Sequence, residues 1–187
     1  MWWAKLSALR RLAPLAIVLA AAGLTAGCFE PLYGSHPSLN GESVHDKLGA
    51  VDIPPIPARQ GSPQQRLAVE LHNALQFDLN GGAGANAPTH RLNVTVGTIQ
   101  MTIVTDPQSG RPTAQVDGVT ANYQLVEIAT GKVVIKDSTY SHVDYDIPGP
   151  EQRFAKQRAQ RNAEDRAVEG VAESIRNRLA SYFVAGT

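Results

Sequence analysis

The chain has 187 residues, with 17 Lys and Arg balanced by 17 Asp and Glu, and a single cysteine. That length supports one domain with a real core. The lack of a basic excess argues against a general nucleic-acid binder, and one cysteine excludes an intrachain disulfide or a cysteine-rich metal site.

Residues 1–27 read as a secretory signal. Lys5, Arg10 and Arg11 open it, an uncharged run follows from Leu12, and it closes on small residues. The run is short and Ala/Gly-rich beside the roughly 20 residues that span a bilayer, so a permanent membrane helix is the weaker reading. Its end, Thr25-Ala26-Gly27-Cys28, resembles the lipobox of bacterial lipoproteins, with Thr25 where that family usually has Leu. The resemblance implies cleavage before Cys28 and a covalent lipid on its sulfur and new amino group. Two or more acyl chains anchor stably where one does not. Phe29 stands where Asp would favour inner-membrane retention in enterobacterial lipoproteins, which directs the expectation to the outer membrane. Cleavage removes three basic residues and no acid, so the mature part is net acidic.

Residues 28–48 are rich in Gly, Ser, Pro and Asn and read as a tether with a reach of roughly 25 Å. Residues 49–187 then form a single α+β domain. A short strand, Ala50 to Ile53, is ended by Pro54, Pro55 and Pro57. Ser62, Pro63 and Gln65 give an N-cap, a first helical position and a capping partner. Leu67, Leu71, Ala74, Leu75 and Leu79 form the apolar stripe of that helix, and "NGGAGANAP" ends it.

"HRLNVTVGTIQMTIVTD" alternates as a strand, but its apolar parity flips at Gly97. A bulge there would keep Leu92, Val94 and Val96 on one face with Ile99, Met101 and Ile103. Asp106 to Pro112 is a turn. A second strand runs through Val119, Ala121, Tyr123 and Leu125, "ATGK" turns at Gly131, and "KVVIKDSTYSHVDYDI" is the last strand. A long C-terminal helix follows, with its stripe on Val168, Val171, Ile175, Leu179 and Tyr182. The order β-α-β-β-β-α predicts a two-layer sandwich, with two helices on one face of a mostly antiparallel four-stranded sheet.

The stripe of the last helix, projected back, meets Gln157, Arg161 and Glu164. That half also carries Arg153, Lys156, Arg158 and Arg161 with no acid between them. Cations in the first turn oppose the helix dipole by about 0.3–1 kcal/mol each. Two readings are open: a solvated charged face, or a site for anionic headgroups or an acidic partner wall.

No catalytic set emerges. His142, Asp144 and Asp146 alternate on one strand face, which suits a solvated outer face better than a cation site. There is no G-x-S-x-G elbow, P-loop or G-x-G-x-x-G. The expectation is a non-enzyme with no metal and no cofactor beyond the lipid on Cys28.

The lipobox, the lead-in and the element order resemble the LPS-assembly lipoprotein family, LptE. "GCFEPLYG" is similar to the start common in its alphaproteobacterial members, one residue shorter here. "TANYQLVEI", Thr120 to Ile128, is similar to a family strand, and Phe154 to Leu179 resembles the family's last helix. The resemblance implies an outer-membrane lipoprotein, on the periplasmic side, that plugs the LPS-assembly β-barrel LptD and supports lipopolysaccharide delivery to the outer leaflet. Arg111 and Lys156 occupy places similar to basic LPS-contacting positions of the family. Arg153, Arg158 and Arg161 belong to the same basic run. An auxiliary lipoprotein of an ABC-type lipid transporter is the alternative.

Overall fold

The computed structural model describes residues 43–85, 87–149 and 152–185. Cys28, the signal and most of the tether lie outside them. The first described element is a helix, α1 (Val44–Gly49). It falls at the end of the segment expected as a tether. The Ser43 side chain accepts from the Asp46 N–H, and the Asp46 carboxylate accepts from the Ser43 N–H, a reciprocal capping box. Val44 and Leu48 anchor this turn in the core.

β1 (Val51–Asp52) leads through the prolines to α2 (Pro63–Asn80). Ser62 is the N-cap of α2 and Pro63 its first residue, as expected, but the capping bonds differ. The Ser62 hydroxyl donates to the Arg59 carbonyl at 2.6 Å rather than accepting from the helix. Gln65 reaches back, but accepts from the Gly61 N–H. At the other end Gly81 takes a left-handed φ of 63°, which a side chain would strain. Leu67, Leu71, Leu75 and Leu79 are buried as their spacing predicts.

β2 (His90–Thr105), β3 (Pro112–Glu127) and β4 (Val133–Asp146) form an antiparallel meander. β1 adds in parallel beside His90 and Arg91, giving the order β1-β2-β3-β4. A parallel pair needs a crossover, and α2 supplies it. α3 (Arg153–Ala185) packs on β3 and β4, and α2 on β2 and α3. The result is the expected α+β sandwich, with Leu92, Val119, Tyr123 and Leu125 facing Val171, Ile175 and Leu179 in one core.

The expected bulge at Gly97 is corrected by the register. Pairing with β3 runs unbroken past Gly97↔Thr120, and the irregularity comes later, around Thr102 and Val104. Parity is therefore kept, and Ile99, Met101 and Ile103 lie exposed. Gly97 answers a different need: a Cβ there would stand 2.7 Å from the Thr120 Oγ1, so glycine relieves cross-strand crowding.

A candidate anion-binding cleft

The β2–β3 hairpin turns at Asp106. Its carboxylate accepts from the backbone N–H groups of Gln108 and Ser109, each at 2.8 Å. Those bonds, the Ser109 one foremost, hold its pKa below the usual value. Gly110, at φ 66°, closes the turn, and the Asp106 N–H donates to the Arg111 carbonyl. Arg111 is thereby fixed at the hairpin base.

The end of β4 and the start of α3 come to the same place. Gln152 donates its N–H to Gly149, and the Lys156 N–H donates to Gln152. Arg111, Arg153 and Lys156 then line one cleft of about 380 Å³, walled by Thr113, Ile147 and Pro148. Asp106 is the one carboxylate among the described lining residues. The cleft opens where the first N–H groups of α3 lack helical acceptors, and no acid sits in that first turn. Three cations at a helix N-terminus favour an anion.

Sequence reasoning grouped five cations; the structure brings three of them together. Arg158 and Arg161 are exposed on α3 and do not line the cleft. Two other cavities among the described residues suit an anion less. One of about 510 Å³ between α2 and α3 carries Glu70, Asp78, Asp165, Glu169 and Glu173. One of about 740 Å³ on the outer sheet face has Lys136 and Asp137 among mostly neutral side chains. His142, Asp144 and Asp146 are exposed on that outer face, and no group of three or more metal-ligating side chains is found among the described residues. Nor is any helix there long and apolar enough to cross a membrane.

Beneath the first half of α3 the interior is polar. Asp117 is buried and accepts from Gln100 Nε2 at 2.8 Å. Burial pushes its pKa up, and nearby Glu164 adds to this. Tyr145, also buried, donates to Gln115 Oε1 and is pushed up to about 12, by burial and then by Asp117. Of the polar positions projected inward, Glu164 turns partly inward, while Gln157 and Arg161 are exposed. Glu164 and Asp165 are both paired with Arg66 of α2, which ties this half of α3 to the neighbouring helix. Sequence reasoning missed Asp117, although it shares the parity of Val119, Ala121, Tyr123 and Leu125 on β3.

A family model described as LptE, lipopolysaccharide-assembly, matches residues 48–179. The chain belongs to the LptE family. That membership gives it a role in lipopolysaccharide assembly. The fold is similar to a putative lipoprotein from Caulobacter crescentus CB15, with 20% identity and a TM-score of 0.57 over 77% of this chain and 97% of that one. It is also similar to the rare lipoprotein B of Shewanella oneidensis, with 17% identity and a TM-score of 0.50 over 72% and 96%. At such identity these likenesses speak for the fold alone. No curated protein sequence matches this chain.

Proposed function

We propose that this LptE-family chain is a non-catalytic outer-membrane lipoprotein, anchored on the periplasmic side by acyl chains on Cys28. It plugs the lumen of the LptD-type assembly barrel and hands lipopolysaccharide towards the outer leaflet. The observation that carries the reading is the Arg111–Arg153–Lys156 cleft. Lipopolysaccharide is polyanionic, and charge-assisted bonds from Arg and Lys to phosphate are shorter and about twice as strong as neutral ones. The wide barrels of outer membranes have polar lumens, and the polar part of the outer sheet face, with Asn93, Thr95, Asn122 and Gln124, suits such a space.

The test is binding of purified full chain to lipopolysaccharide. Arg111→Glu with Lys156→Glu should weaken it by about a hundredfold or more, since each charged hydrogen bond contributes roughly 1.5–3 kcal/mol. Unchanged affinity at unchanged stability would remove the cleft from the account.

A further inference from the structure

The two halves of α3 meet the core differently. From Ala163 onwards the helix buries Val168, Val171, Ile175 and Leu179. From Arg153 to Asn162 no side chain is buried, and only Ala155, Ala159 and Gln160 are half-buried. Phe154, the one large apolar side chain in that stretch, is 83% exposed. Arg153 and Lys156 oppose the helix dipole, and the first turn holds no acid to balance them. A segment with so few buried apolar contacts opens locally well below the global unfolding free energy.

Asp117 lies beneath this weakly held half. Ser141 touches Gly170, and Val143, two residues further along β4, pairs with Asp117. Asp117 therefore sits nearer the helix start than Gly170. It is only 4% exposed. Its Oδ1 accepts from Gln100 Nε2, but its buried Oδ2 has no partner among the described residues. A buried acceptor left unpaired is costly, and more so when it is charged. The groups facing it give no relief. Glu164 of α3 repels the carboxylate, Arg66 of α2 is engaged by Glu164 and Asp165, and the Tyr145 hydroxyl of β4 donates to Gln115. Two events remove the cost: a proton on Asp117, or opening of the helix above it to water.

We propose that Arg153–Glu164 is a proton-sensitive lid, which closes over neutral Asp117 and opens when Asp117 ionises. The lid carries Arg153 and Lys156, whereas Arg111 and Thr113 come from the β2–β3 hairpin and Ile147 from the end of β4. Closing therefore assembles the cleft, and opening parts its cations. An anion held across the cleft favours the closed lid, and by linkage it favours the proton on Asp117. This regulation rests on the reading of the cleft as an anion site.

The experiment is backbone hydrogen exchange of the purified full chain in detergent, wild type against Asp117→Asn, with and without sulfate, whose charge stays constant over the pH range used. Exchange of Gln157–Glu164 is read against that of Val168–Leu179 in the same protein, so a change in global stability cancels. Above the usual carboxylate range, Gln157–Glu164 should exchange at least about fivefold faster in wild type than in Asp117→Asn, the lower limit for an unpaired buried acceptor. Below that range the two should agree. Sulfate should slow Gln157–Glu164 in both proteins, and Arg111→Glu, a change outside α3, should abolish that effect. Equal exchange of Gln157–Glu164 in wild type and Asp117→Asn above the carboxylate range overturns the proposal. Slower exchange in Asp117→Asn that sulfate leaves unchanged supports the lid and removes the cleft reading instead.

Discussion

Gly170 of α3 lies against Ser141 of β4 so closely that a Cβ on the glycine would stand 2.6 Å from the Ser141 Oγ and 3.2 Å from its Cβ. A mid-helix glycine costs about 1 kcal/mol relative to alanine. The close approach of helix to sheet offsets that cost through the packing around Val168, Val171 and Ile175. Gly170→Val should lower stability by about 1–3 kcal/mol through overpacking, read as a fall in denaturant midpoint. A variant as stable as wild type would show that the glycine does not serve this contact.

Asp117 should make stability fall as pH rises. Its native pKa is raised by burial. The stability linked to its proton is therefore full below the unfolded value of about 3.9 and is lost as pH rises through the native pKa. Asp117→Asn keeps an acceptor for Gln100 and cannot ionise. Unfolding of both proteins from about pH 3 upwards checks this. Wild type should lose stability relative to the variant over that range, and parallel curves would contradict the assignment.

Arg66 joins α2 to α3 through Glu164 and Asp165. The pair is partly exposed, so Arg66→Ala should cost only about 1 kcal/mol, and less at high salt. Arg66→Lys should recover only part, because a single ammonium lacks the fork that engages two carboxylates. Denaturant titrations at low and high salt distinguish these outcomes.

The cleft predicts unequal roles for the five cations. Arg153→Ala should weaken lipopolysaccharide binding about tenfold or more, as loss of a charged hydrogen bond implies. Arg158→Ala and Arg161→Ala, outside the cleft, should change it by less than about threefold, the scale of an exposed charge. Equal losses at all five positions would favour a diffuse charged face over a built site.

Much of the sandwich was legible from period alone. The leucines of α2 and the alternation of β3 each had one physical solution. The Gly97 parity flip had two, a bulge or an exposed stripe. The choice depended on what covers the distal half of β2, and α3 packs on β3 and β4 instead. The α1 cap, Ser43 and Asp46, was present as a spacing but hidden in a polar stretch. Arg111 and Arg153 lie far apart in sequence. Their meeting depends on the two hairpins returning the chain to one end of the sheet, which no local pattern encodes.

Depletion in the native organism, with recovery of a tagged copy, tests most directly whether this chain works with the assembly barrel. A large outer-membrane β-barrel should co-purify with the tagged chain, and depletion should lower surface lipopolysaccharide. Normal surface lipopolysaccharide after depletion, with no large barrel recovered, would contradict it.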